Sequence, residues 1–408
     1  MNILFLISQI PYPLDTGAKI RSYNLIKHLV QHHQITLVSF QNTTEDIQKV
    51  HALRNFCTDV KTIPRSDVNR TINKYGLLFL NLFSYYPYNI QKQYSRKMER
   101  VIANWTNEGK FDLLHCDSLQ VSRNALSLNS LPKILTEHNL ESVIFRRYCE
   151  KETNLIKKLY IYLQWLKLRR YEEMACKSFD YCVACSEHDK KILSDMVDSQ
   201  KIHVIPNGVD TEYFRPTNHH LSLRTYSPQP NSLIFTGSMD WLPNEDAMVY
   251  FTSCIFPLIK KKIPKVMLSI VGRNPTKKLK GLTKEDRSIE VTGRVDDVRP
   301  YIARSSVYVV PLRIGSGTRL KILEAMAMGK PVISTTIGCE GIEATPGENI
   351  MVADDPKDFA EKTVELLRDS ELRQKIGRAG RLLVEERYDW QRIAKLLDHV
   401  WKNAADRN

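Results

Sequence analysis

Short unbroken runs of apolar residues recur along this chain, and between them lie stretches in which apolar residues return every three or four positions. The first pattern reads as strands buried on both faces, the second as helices with one inward stripe. Strand runs fall at 3–7, 34–40, 59–63, 111–118, 133–136 and 179–185, and again at 233–236, 266–271, 289–292, 307–310 and 332–335. Ile20, Leu25, Ile26 and Leu29 mark a helix over 18–32, and Leu320, Leu323, Ala327 and Met328 mark another that ends at Gly329. The same spacing continues over 358–368, 373–386 and 393–401. Strands alternating with helices predict an α/β chain built on parallel sheets. A length of 408 residues suits two such units. The polar tract Thr217–Asn231 reads as the linker between them.

Within the second half, Val309 to Gly341 carries the clearest chemistry. A β-branched run closes at Pro311, a loop Gly315-Ser316-Gly317-Thr318 follows, and a helix then leads to a second strand at Val332–Thr335. Loop amides and the positive helix end form an anion site at the carboxyl edge of a sheet. Arg319 and Lys321 add two full charges, and Glu324, a turn further in, offers a carboxylate to a diol such as a ribose. No Gly-Lys-Ser/Thr ends the glycines, so this is not a P-loop, and Leu320 stands where a dinucleotide fingerprint has its third glycine. A generic glycine turn before a helix is the competing reading.

Charge changes the picture next. Lys and Arg number 59 against 46 Asp and Glu, for a formal +13, which points to a polyanionic neighbour or to ordinary solvated surface. No RNP, zinc-finger or helix-turn-helix pattern supports nucleic acid. Two stretches concentrate cations beside apolar residues. Lys74–Met98 is dense in aromatics and reads either as a helix packed into the core or as a surface for a bilayer or lipid-linked ligand. Arg146–Arg170 places Leu155, Leu159, Leu163 and Leu166 at helical spacing among basic residues, a basic amphipathic helix that covers the domain or meets a membrane. The N-terminal MNILFLISQIPYP lacks the features of a secretory signal, and no window is long and apolar enough to span a bilayer. Eight scattered cysteines, with Cys182-x-x-Cys185 as the one close pair, fit buried thiols in a reducing compartment better than a zinc site.

The segments Ile205–Phe214, with IPNGVD, and Gly293–Gly341, with GSGTRLKILEAMA, resemble retaining glycosyltransferases of family 4. That resemblance implies the GT-B fold, two Rossmann-like domains facing across a cleft. The boundaries it implies are 1–205 for an acceptor domain and 206–387 for a nucleotide-sugar donor domain, with 388–408 packing back on the first. In the family two Glu bracket the glycine loop; Glu324 matches the second, which holds the nucleotide ribose, and Ser316 stands at the first. Gly317, Thr318 and Leu320 complete the donor loop. Gly237-Ser238 sits where the family commonly has Gly-Arg, with a Lys several residues later, and here Ser238 and Asn244 are neutral. Charge on the leaving diphosphate then falls to Arg319, Lys321 and Arg273. Gly293-Arg294-Val295 is the turn over the nucleotide base. A lone His past a strand end is by itself more often a structural residue, but the resemblance implies that His138, in the run Glu137-His138-Asn139, faces the donor sugar, with Glu137 and Asn139 orienting on the acceptor side. Gly17 lies by the diphosphate, with Arg21 beside it; an ordinary solvated helix charge is the other reading of Arg21.

The implied activity is metal-independent, retaining transfer of a sugar from a nucleotide donor to a hydroxyl of a glycan or lipid-linked acceptor in cell-surface polysaccharide or glycolipid synthesis. No cofactor, metal or nucleic acid is expected. The implied location is the cytoplasm, with an anionic membrane surface as a further partner at the inner face. The rivals are an epimerase or phosphorylase of the same fold and a non-catalytic nucleotide-sugar binder.

Overall fold

A computed structural model describes residues 1–41, 46–64, 74–216, 229–315 and 317–406. The chain divides into Met1–Pro206 with Gln391–Asn408, and Asn207–Trp390. In the first unit β1 (Asn2–Ile7), β2 (Gln34–Gln41), β3 (Asp59–Pro64), β4 (Leu113–Cys116), β5 (Lys133–Glu137), β6 (Tyr181–Ala184) and β7 (Ile202–Val204) form one sheet in the order β3-β2-β1-β4-β5-β6-β7. All its pairings are parallel. In the second unit β8 (Ser232–Thr236), β9 (Met267–Val271), β10 (Ile289–Gly293), β11 (Val307–Val310), β12 (Val332–Ser334) and β13 (Met351–Val352) run β10-β9-β8-β11-β12-β13, again parallel throughout.

Both sheets have helices on their faces, which is why β5, β6, β8 and β11 read as unbroken apolar or fully buried runs. Each strand order reverses once beside its first strand, between β1 and β4 and between β8 and β11. Loops leaving the carboxyl ends diverge there and open a crevice for ligands. Most of the predicted strands are present, with ends moved by a residue or two. The two-residue β13 left no readable period, and it joins the edge through Ala353 N–H donating to Ser334 O at 2.9 Å.

Two expectations need correction. The basic stretch 146–170 is two helices, Glu141–Lys151 and Leu155–Ser178. Asn154 breaks it, because its side chain accepts from Lys157 N–H at 3.0 Å and restarts the helix. The aromatic stretch packs into the core through Ile90, Met98 and Tyr86, but its first helix does not. In helix Lys74–Leu82, Asn81 faces inward at 2 % exposure while Phe79, Leu80 and the following Phe83 face out, Phe83 at 80 %. Asn81 turns inward because Gln164 donates to its Oδ1 at 2.8 Å and Lys167 Nζ donates to its carbonyl at 2.7 Å. Most of the proposed linker, 217–228, lies outside the described residues. None of the eight cysteines forms a disulfide, and six are buried.

Candidate functional site

In the first unit the carboxyl ends of β1, β4 and β5 surround a cavity of about 150 Å³, lined by Ser8, Gln9, Ser22, Asp117, His138 and Asn139 among others. Asp117, just past β4, is its charge centre at 3 % exposure. Its Oδ2 accepts from Ser22 Oγ and lies 3.4 Å from His138 Nε2. Its Oδ1 lies 3.7 Å from His115 Nε2. Burial alone would raise the Asp117 pKa, but His138 and His115 hold it well below the usual carboxylate range.

His115 is fully buried and stacks on Phe5 at 4.5 Å. Burial lowers its pKa, so the ring is neutral. Its Nδ1 accepts from Trp401 Nε1–H at 3.0 Å, so its proton sits on Nε2, toward Thr136 Oγ1 at 3.1 Å and Asp117. The C-terminal helix Trp390–Ala405 thereby fixes the tautomer of a side chain beneath the cavity.

The other residues singled out in this unit are placed differently. Glu137 lines the cavity, yet its carboxyl lies beside Cys176, whose thiol donates to Oε1 at 3.8 Å. Burial and nearby Glu172 push its pKa well up, which favours its neutral form. Gly17 opens helix Gly17–Leu29, whose Ala18 and Lys19 reach the cavity. Arg21 is not a solvated helix charge. It is 1 % exposed and donates to Ile205 O at 2.8 Å and Pro206 O at 2.7 Å, pinning the segment after β7.

In the second unit the loops after β8, β9 and β11 carry the predicted donor residues. Lys321, in the first turn of helix Leu320–Ala327, donates from Nζ to Asn244 Oδ1 at 2.8 Å and lies 3.9 Å over the Phe235 ring. A Cβ on Gly237 would sit 2.8 Å from both Lys321 Nζ and Asn244 Nδ2, so any side chain there would push these two ends away. Asn244 Nδ2 donates to Ser238 O at 2.8 Å. Ser238 Oγ accepts from Arg273 Nε at 2.9 Å and donates to Asp240 Oδ1 at 2.6 Å.

Burial, with a contribution from Arg319, lowers the Lys321 pKa to about 7, against the opposing pull of Glu324. Burial raises the Glu324 pKa to about 7, with Lys321 opposing. The pair therefore changes charge near neutrality. Arg319 folds over its own loop, donating from Nη1 to Gly317 O at 2.7 Å. Gly317 takes φ +77°. Thr318 is buried, with its hydroxyl donating to Gly341 O at 3.3 Å and its carbonyl accepting from Asn207 at 3.1 Å. Ser316 lies outside the described residues. After β10, Gly293 at φ +76° turns the chain into exposed Arg294 and half-buried Val295, which packs on the core. No group of His, Cys, Asp and Glu suited to a metal ion occurs among the described residues.

The structure thus gathers Gly237, Ser238, Arg273 and Lys321 in one loop cluster of the second unit, and, within the first unit, His138 with Asp117 in a cavity. Sequence reading missed Asp117, Asn244 and Trp401. An acid directly after a strand end was the available signal for Asp117; Asn244 was passed over as the mere absence of a lysine.

Comparison with known proteins accords with this arrangement. The model for Glycosyltransferase Family 4 matches residues 16–213, and that for Glycosyl transferases group 1 matches 230–369. An uncharacterized 44.6 kDa protein in the cps region of Klebsiella pneumoniae is 21 % identical over 96 % of this chain and 97 % of its own. The phosphatidyl-myo-inositol mannosyltransferase of Mycobacterium leprae is 26 % identical over 78 % of this chain and 81 % of its own. Among solved structures, sucrose-phosphate synthase from Thermosynechococcus elongatus superposes with TM-score 0.74 at 16 % identity, covering 100 % of both chains. Anabaena Alr3699/HepE, in complex with UDP and glucose, gives 0.68 at 14 % identity over 98 % of this chain and 99 % of that one. The chain belongs to the family 4 glycosyltransferases and has the GT-B fold. It is a glycosyltransferase.

Proposed function

We propose that this enzyme transfers a sugar with retention, without a metal, from a nucleotide-sugar to a hydroxyl of a glycan or lipid-linked acceptor. The observation that carries the reading is the seating of Lys321 Nζ against Gly237 by Asn244, a fixed cation beside a glycine loop. A preorganised cation of this kind stabilises charge as it develops on a departing diphosphate. In the step proposed, the bond from the anomeric carbon to the diphosphate oxygen breaks and the acceptor oxygen bonds that carbon on the same face. The acceptor proton passes to the departing phosphate oxygen. Lys321 and Arg319 offset the charge, with the Gly317–Thr318 amides and Leu320 at the helix start in support. Glu324 holds the ribose, and the turn at Arg294 and Val295 meets the base. In the first unit His138 orients the reacting sugar and Asn139 the acceptor.

A membrane address fits the inverted helix. Besides the outward Phe79, Leu80 and Phe83, exposed apolar residues occur at the start of helix Leu155–Ser178, where Leu155 is 81 % and Ile156 84 % exposed, followed in sequence by Lys157 and Lys158. Residues 74–98 carry four cations and no acid, and 141–170 carry eight cations against three acids, so these stretches account for +9 of the +13. Exposed apolar side chains in stretches rich in cations suit an anionic bilayer, and a lipid acceptor such as the one in the mannosyltransferase's name would be met there. No described helix is long and apolar enough to cross a membrane.

Radiolabelled UDP-, GDP- and ADP-sugars with a lipid extract test the reading. Label in the lipid fraction, with the anomeric configuration of the donor kept, is the expected result. Free epimerised donor, inversion, or binding without turnover would overturn it. UDP-sugars come first because Alr3699/HepE was solved with UDP.

A further inference from the structure

The loop after β8 has neutral residues at both places where the family resemblance calls for cations, Ser238 and Asn244. Neither place is electrically empty. Asn244 Oδ1 accepts from Lys321 Nζ at 2.8 Å, and Ser238 Oγ accepts from Arg273 Nε at 2.9 Å. Each neutral side chain thus grips a cation rooted on another element, the helix after β11 in one case and the loop after β9 in the other. Asn244 is itself fixed, buried and donating from Nδ2 to Ser238 O at 2.8 Å, so one residue ties both holders together.

We infer that Asn244 and Ser238 are positioning residues which return two displaced cations, Lys321 and Arg273, to the diphosphate end of the β8 loop. The inference rests on the donor-binding reading above and extends it to residues that a motif comparison scores as losses. Asn244 is suited to the task because its amide accepts from the ammonium with one end and donates to the loop with the other. Serine can play a similar part for Arg273, accepting from the guanidinium while donating to Asp240. A rigid holder matters because lysine has four rotatable bonds, and a cation that must be ordered at the moment of binding contributes less.

Moving the charge back provides the test. Binding of UDP, GDP and ADP to the full chain is measured by calorimetry, and the tightest diphosphate is taken forward with its parent nucleoside as a control lacking phosphates. Lys321→Met should weaken the diphosphate roughly tenfold or more and leave the nucleoside unchanged, since one charge-assisted contact to phosphate is lost. Asn244→Lys combined with Lys321→Met should recover most of that loss, because the ammonium then arises from the holder's own position. Asn244→Asp, which neutralises Lys321 in place, should weaken the diphosphate as Lys321→Met does. Diphosphate affinity unchanged in Lys321→Met or Asn244→Asp overturns the inference, as does a folded double variant no tighter than the single. If the wild-type chain binds none of the three diphosphates, the donor-binding reading itself falls. Arg273→Ala with Ser238→Arg repeats the exchange for the second pair, with the same readings.

Discussion

The two units place opposite charge at the same topological position. Beside β1 and β4, a buried carboxylate, Asp117, faces two imidazoles and a serine. Beside β8 and β11, a partly buried ammonium, Lys321, faces an amide and an aromatic ring, with Arg319 just before it and Arg273 in the loop after β9. Parallel sheets of this order open a crevice at the switch point whatever the sequence, so topology alone does not decide the ligand. The charge there does: an anionic, hydrogen-bonding cavity suits hydroxyl groups, and a cationic loop cluster suits phosphate.

The largest predicted effect tests the cationic side. Lys321→Ala should lower kcat by about a hundredfold or more, by analogy with the loss of one oxyanion donor. Near-full turnover in steady-state assays would remove Lys321 from the chemistry and leave the contrast between the units without a functional meaning.

The anionic side is next. Asp117→Asn keeps the shape but removes the charge that holds His138, and kcat should drop about tenfold, as when an orienting carboxylate is lost. The measurement that sharpens the comparison is donor affinity in the same variant. It should change far less than kcat, because the substitution leaves untouched the contacts that seat Lys321 and Arg273, Asn244 Oδ1 and Ser238 Oγ. A parallel loss of donor affinity would contradict the division of labour.

These two sites differ in how far they could be read from sequence. The glycine loop, Lys321 and Glu324 are contiguous, and their spacing left an anion site and a generic glycine turn both open until the family resemblance favoured the first. The strand periods and the two parallel sheets were legible for the same reason, since each is a local pattern. What was not legible depends on partners distant in the chain. Asp117 meets Ser22 across 95 positions, and Trp401 meets His115 across 286. Nothing near Asn81 reveals that Gln164 draws it inward and turns the phenylalanines out. Asn244 shows a different limit, since its part is visible only once Lys321 is found against it.

A smaller effect follows from the protonation states in the cationic cluster. Lys321 titrates at about 7 in the ligand-free protein, so it loses its charge as pH rises through neutrality. Glu324, raised to about 7, gains negative charge over the same interval. Loss of the ammonium charge disfavours a diphosphate, while the carboxylate form of Glu324 is the one assigned to the ribose. Affinity for UDP-glucose, whose phosphates do not titrate there, should be level below neutrality and fall up to about tenfold per pH unit above it, with proton uptake on binding. Calorimetry at pH 6, 7 and 8 in buffers of different ionisation enthalpy measures both. The first unit should show no matching proton uptake, because its carboxylate is already held ionised by His138 and His115. An affinity flat across this range would mean that Lys321 keeps its charge throughout.

The smallest effect concerns how the anionic side is held. Trp401→Phe keeps the ring against Phe5 and His33 but removes the N–H that His115 Nδ1 accepts. A buried acceptor left unpaired costs roughly 1 to 3 kcal/mol, so thermal unfolding should come several degrees lower. The consequence for chemistry is more specific than the loss of stability. With Nδ1 no longer committed as an acceptor, the proton of His115 can move to it, and Nε2 would then cease to donate toward Thr136 and Asp117. Nitrogen NMR of the His115 ring reads that exchange directly: one tautomer in the wild type, a mixture in the variant. If the ring keeps a single tautomer while stability falls, the helix Trp390–Ala405 serves only as packing for this unit, and the polarity of the Asp117 cavity is set by Thr136 and the carboxylate without it.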